Sequence, residues 1–227
     1  MKRFPILVAA LLTGACAPTP EKTLSGLDPT AFQASIDGHE TGLYVLKNSN
    51  GVEACITNFG GRLVSLMVPD REGTMRDVVL GFDNIDDYRN NPNDFGASIG
   101  RYANRIGQGR FALAGTGHDL PKNNQGHRLH GGPEVWQYKV FEVEQVTPNS
   151  IRMVVESPDG EMNFPGNVTA SVTYTLTDDH ALQNDSEART DAPTSSHMTN
   201  PPYIRPPRDP AQVPIRDRPR HAAHRHP

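Results

Sequence analysis

From Thr41 onward the apolar residues of this chain come in short runs spaced two apart or nearly so, rich in Val, Ile, Thr, Tyr and Phe and broken by Gly, Asn, Asp and Pro. Alternation at that spacing is what a half-buried strand requires, and no segment sustains the 3.6-residue period of an amphipathic helix. The runs fall at 43–47, 53–59, 63–68, 77–80, 110–113, 138–146, 150–156, 167–176 and 181–188, with one short helical turn around 85–88. Asn48-Ser49-Asn50-Gly51, Pro69-Asp70-Arg71-Glu72-Gly73, Pro148-Asn149-Ser150 and Thr177-Asp178-Asp179 separate successive runs, and their residue types suit hairpin loops. An all-β chain of this kind buries its alternating faces by stacking antiparallel sheets, so a β-sandwich is expected.

The pattern stops at about Asp191. Nine of the chain's 20 prolines, six arginines and four histidines lie between Asp191 and Pro227. Such a segment buries too little to offset its ordering entropy, so 191–227 is expected to be a disordered tail. His221, His224 and His226 within it are expected to be part of a solvated Arg/His end, and no metal site is assigned. The net charge of −4, with the arginine excess confined to the last 25 residues, gives no basic field able to track phosphates, so nucleic-acid binding is not expected.

The other end has a different purpose. Met1-Lys2-Arg3, an apolar run 4–12 and then Thr13-Gly14-Ala15-Cys16 form the tripartite pattern of an export signal, too short for a mature membrane span. Leu12 to Cys16 is similar to a lipoprotein processing box with Cys16 as the lipidated residue, although Ala15-Cys16-Ala17 also suits ordinary signal peptidase. Both routes place the mature protein outside the cytoplasm, either periplasmic or held to a bacterial membrane through lipid on Cys16. Residues 17–40 then read as linker and start of the domain, and 41–190 as the sandwich. Cys55, the other of two cysteines, is expected to be a small buried hydrophobe, since no His or Lys flanks it.

Functional residues concentrate in 98–132. Asn104-Arg105 and His130 stand 25 residues apart between glycines, so the backbone can bring a guanidinium fork and an imidazole close to a polyhydroxylated ligand. The preceding polar stretch 88–104 is long for a loop in a compact β domain, which is typical of loops that carry function.

Seven ordered motifs resemble the aldose 1-epimerase (galactose mutarotase) family: Thr57 to Gly61, Val79 to Phe82, Gly100 to Ile106, Leu129 to Gly132, Asp159 to Glu161, Phe164 to Asn167 and Val172 to Thr177. The resemblance implies a galactose mutarotase-like antiparallel β-sandwich that interconverts the α and β anomers of hexoses such as galactose or glucose, without metal or cofactor. It implies that Asn104 and Arg105 contact the substrate and that His130 is the first active-site histidine, with Arg101 and His127 supporting or exposed. The same resemblance marks departures. Pro201 stands where the family's second, acid histidine is expected, His197 lies four residues before that place, and the family's later Asp and base Glu have no counterpart. The expectation is a truncated or frameshifted member after about Asn200, its sandwich incomplete at the C-terminus. Such a chain would be either a mutarotase of doubtful turnover, a carbohydrate-binding lipoprotein without catalysis or a defective product.

Overall fold

The structure is a computed structural model that describes residues 22–91, 93–133 and 135–204. Cys16, the export signal and the cluster His221, His224 and His226 lie outside the described residues.

Two four-stranded antiparallel sheets dominate. In chain order the strands are β1 (Ser35–Ile36), β2 (His39–Glu40), β3 (Leu43–Lys47), β4 (Glu53–Thr57), β5 (Arg62–Pro69), β6 (Met75–Asp77), β7 (Arg105–Ile106), β8 (Arg110–Leu113), β9 (Thr116–Asp119), β10 (Arg128–Leu129), β11 (Glu142–Val146), β12 (Ser150–Ser157), β13 (Val168–Leu176) and β14 (Leu182–Thr190). β3-β4-β5-β6 and β11-β12-β13-β14 are simple meanders in which sequence neighbours pair. The loops that join them make the bonds their residues suit. Asn48 Oδ1 accepts from the N–H of Asn50 and Val52, and Asp70 Oδ1 from Glu72 and Thr74, so each polar side chain closes its own hairpin.

The alternation seen in the sequence becomes the core. Val168, Ala170, Val172, Tyr174 and Leu176 of β13, with Ile151, Met153 and Val155 of β12, pack against Leu46, Ala54, Ile56 and Leu63 of the first sheet. At roughly 1.5–3 kcal/mol for each large apolar side chain buried, this cluster is the main attraction between the sheets. β4 is buried at every position, including Cys55, because the opposite face of its sheet is covered too. Leu27, Phe32, Ile36, Ile85 and Tyr88 form that second cover together with Cys55 and Val64. A strand covered on both faces loses its polar positions, which is why 53–57 reads as apolar without clean alternation. The exception is Glu53, fully buried, which accepts from the Leu24 N–H at 2.7 Å and meets Lys47 Nζ at 3.3 Å, tying the N-terminal segment to the sheet.

Two features stand out beyond β13. β14 pairs with β13 over nine residues, yet eight of its nine positions are exposed. Asn184, Ser186 and Ala188, which share the inner face with Tyr174, Val172 and Ala170, are open to solvent, and no strand among the described residues pairs with its outer edge. The second departs from the sequence reading: 191–204, which composition groups with the tail, is ordered. It crosses back and bonds to the 99–103 stretch: Ile99 N–H to Thr199 O at 2.7 Å, Thr199 N–H to Ile99 O at 3.2 Å, His197 N–H to Arg101 O at 3.0 Å and Ala103 N–H to His197 O at 2.7 Å. The physical reason is backbone demand. Ile99 and Ala103 are buried, so their N–H groups need partners, and 197–199 supplies them while Met198 packs against the main core.

Candidate functional site

β7 and β10 are only two residues long, and their register puts Arg105 opposite Leu129 and Ile106 opposite Arg128. The ladder runs one step further, where His130 N–H donates to Asn104 O at 3.1 Å. Asn104 and His130 both have positive φ, +63° and +52°. That region is strained for residues with a Cβ, though Asn and His tolerate it better than most. The consequence is a cross-bond: the Asn104 backbone N–H, turned out of the ladder, donates to His130 Nδ1 at 3.1 Å.

This bond decides the chemistry of the imidazole. A ring nitrogen that accepts cannot carry a proton, so neutral His130 holds its proton on Nε2 and presents an N–H donor. Half-burial pushes its pKa below the ordinary histidine value, with the Arg105 charge acting in the same direction and Asp94 opposing. His130 is therefore neutral at pH 7, a donor and not a cation. Beside it, exposed Arg105 gives its Nε to Asn124 Oδ1 at 3.1 Å. Among the described residues its terminal nitrogens meet no acceptor, so two parallel N–H groups face outward. Asn104 Oδ1 accepts from the Arg105 N–H at 2.9 Å, leaving the side-chain amide nitrogen as a further outward donor.

The 121–127 loop braces this face. Asn123 exchanges two bonds with the Leu129 backbone, at 2.7 and 3.0 Å, and His127 Nδ1 accepts from the Gln108 N–H at 3.0 Å. His127 is thus a tie within the loop. Arg101 is the opposite of exposed. It is buried over the Phe164 ring and its guanidinium holds the carbonyls of Ser157, Pro158, Pro165 and Gly166 at 2.7–3.0 Å. Burial pushes its pKa down, with Glu161 and Asp159 opposing. Its place in the motif serves to anchor the loop after β12.

His197 lies closer to the site than its sequence position implies. Its Nδ1 is 3.2 Å from Ala103 O, and since a carbonyl only accepts, Nδ1 carries the proton there. The Ala103–Asn104 peptide therefore accepts from one histidine and donates to the other. Because the C=O and N–H of a trans peptide point in opposite directions, the two rings bond to opposite edges of it. Pro201, at the place of the expected acid histidine, follows Asn200, whose amide is committed to Gly96 O at 2.9 Å and Tyr174 Oη at 2.6 Å. Proline has no proton to transfer.

Sequence reasoning missed Arg62, Arg128, Gln137 and Asn124. Arg62 is buried between the Phe59 and Tyr88 rings and donates to Gln137 O at 2.6 Å and Phe95 O at 3.1 Å. Its pKa is lowered by burial. A signal existed: Arg62 directly follows Gly60-Gly61 and Arg128 lies three residues before Gly131-Gly132, where a backbone without side chains leaves room for a guanidinium. The described residues hold no group of three or more His, Cys, Asp or Glu side chains able to bind a metal.

The sequence model described as "Aldose 1-epimerase" matches residues 42–217. The chain is 37% identical over 178 residues to the aldose 1-epimerase of Haemophilus influenzae, covering 78% of this chain and 51% of that protein. It is 34% identical over 168 residues to the Escherichia coli aldose 1-epimerase, covering 74% and 49%. The crystal structure of an aldose epimerase homologue from C. elegans superposes with a TM-score of 0.70 at 34% identity, over 72% of this chain and 50% of that one. The chain thus spans about half the length of the curated relatives it matches.

Proposed function

The chain belongs to the aldose 1-epimerase family, and on that premise we propose that it grips a hexose such as galactose or glucose through Asn104, Arg105 and His130 and serves the interconversion of its α and β anomers. Mutarotation removes a proton from the C1 hydroxyl and delivers one to the ring oxygen, so that the ring opens, C1 turns and the ring closes on the other face. A donor held against the ring oxygen favours opening, because charge develops there as the C1–O5 bond breaks. His130 suits that place, and the observation that carries the reading is the Asn104 N–H on its Nδ1, which leaves Nε2–H as the outward group. Arg105 suits two neighbouring sugar hydroxyls, since its Nε is already committed to Asn124 and its terminal pair is free to fork.

A second reading is binding without turnover, and Pro201 favours it. Proton relay by positioned side chains is worth ~10² to 10⁴ in rate for each group, and the sequence place of one such group is held by a residue without a proton. Polarimetry of freshly dissolved α-D-galactose beside a calorimetric galactose titration separates the two. Accelerated mutarotation that His130→Ala abolishes supports the epimerase, saturable binding without acceleration supports the module, and absence of both ends the proposal. We also place the mature chain outside the cytoplasm with lipid on Cys16, on the strength of the N-terminal pattern. Mass spectrometry of the mature N-terminus tests that, and an intact Met1 would refute it.

A further inference from the structure

We propose that Arg128 is a positioning residue for His130, a buried cation that fixes the left-handed turn from which the imidazole projects. The inference rests on the reading of His130 as the sugar-facing donor, but its structural half stands apart from it. His130, Gly131 and Gly132 have φ of +52°, +72° and +117°, three successive residues in the left-handed half of backbone space. The two glycines adopt it without steric cost, but His130 carries a Cβ in that region, a strain that persists only where its surroundings over-determine it.

Arg128 supplies most of that determination. It is fully buried. Its Nη2 donates to Gly131 O and its Nη1 to Pro121 O at 2.6 Å, so one guanidinium clamps the turn to the start of the 121–127 loop. Gly132 lies flat against the guanidinium, and a Cβ at that position would run into it. Gln137 adds a weaker second arm, its amide nitrogen 3.4 Å from His130 O and 3.5 Å from Gly132 O. All three carbonyls of the turn are thus held from below by side chains, while the ring is held from above by the Asn104 N–H. No carboxylate of the described residues pairs with Arg128, and burial pushes its pKa down. A buried guanidinium is costly unless acceptors meet its N–H groups, so the two carbonyls that accept from it stabilise it as it holds the turn.

The test uses the full-length chain labelled with ¹⁵N. Arg128→Met keeps the length of the side chain and removes the donors. Arg128→Lys keeps the charge as a single point donor. Val155→Ala, in the main core away from the turn, is the control for general loss of stability. Three quantities are read on each: hydrogen exchange of the Asn104 amide, the His130 Nδ1 resonance, and galactose affinity. We expect Arg128→Met to speed Asn104 exchange and weaken galactose binding by about tenfold each, since a charge-assisted bond and its geometry are lost together. The Nδ1 signal should move toward that of a ring without a hydrogen bond. Arg128→Lys should move all three the same way by less, and it carries the test if the methionine variant does not fold. Wild-type behaviour in either arginine variant, or the same changes in Val155→Ala, would overturn the proposal. Loss of Asn104 protection in a protein whose wild type never bound galactose would sink the sugar-site reading and leave the positioning role intact.

Discussion

Tyr174→Phe should cost far more than an ordinary surface change, because its hydroxyl joins three parts of the molecule. It sits on β13, fully buried, and donates to Gly61 O at 2.9 Å in the β4–β5 connection. It also accepts from Asn200 Nδ2 at 2.6 Å in the returning 191–204 segment. Burial raises the phenol pKa, which keeps the proton on oxygen as this geometry needs. Removing the hydroxyl leaves Gly61 O with Ser98 Oγ as its donor at 2.9 Å, so the two lost bonds, to Gly61 O and from Asn200, cost about 0.5–1.5 kcal/mol each. A loss of roughly 1–3 kcal/mol follows, against a total stability of about 5–15 for a typical domain. At about 2–4 °C per kcal/mol for a domain of this size, Tm should fall by around 2–12 °C. Asn200→Ala should cost about 1–2 kcal/mol, and the double variant less than the sum by about 1 kcal/mol, because both singles break the same bond. Urea denaturation of all four proteins reads the cycle. A coupling near zero, with Asn200→Ala neutral, would refute the docking of 191–204 on the sandwich.

Other perturbations probe the site. Arg105→Lys should weaken galactose affinity by about tenfold, since a point donor replaces a fork, and calorimetry checks it. Because the folded pKa of His130 lies below the ordinary histidine value, the folded state binds its proton less readily than the unfolded one. Its contribution is therefore complete above about pH 6.5 and is lost as pH falls from there through the folded pKa. Galactose affinity and urea midpoints measured from pH 7.5 to 5 should fall together on the acid side, and His130→Gln should flatten the affinity profile. His197→Asn places an amide donor near Nδ1 and should keep Asn104 protected from exchange, whereas His197→Ala should speed that exchange about threefold through loss of one part-buried bond to the shared peptide.

Much of the fold was legible because alternation and turn chemistry agree. The 43–47 and 110–113 runs are strands with those same limits, and 150–156 and 167–176 differ from β12 and β13 by a residue at one end. The short turn at 85–88 is the helix Ile85–Asn90, capped by Asn84 accepting from the Asp87 N–H. What escaped is structure made by partners distant in sequence. β1, β2, β7 and β10 are two residues long, too short for any period to show. The 191–204 segment is ordered by the needs of buried N–H groups a hundred residues away, which composition does not register. In the site, Asn104, Arg105 and His130 were found through glycine context and motif, and the structure brings all three together. Arg101 is the supporting residue of the two alternatives left open for it, and Arg128 was missed because a charged residue in a polar loop reads as solvated, its burial showing only in the carbonyls that accept from it.

If Asn104, Arg105 and His130 form one sugar-facing surface, backbone amide spectra of the ¹⁵N-labelled chain during a galactose titration will register it residue by residue. Saturable shifts are expected at 104–105, 124 and 129–132, with the His130 Nε2 proton moving downfield and His130→Ala silencing the response. Spectra unchanged at saturating galactose, or shifts confined to residues far from β7 and β10, would contradict it.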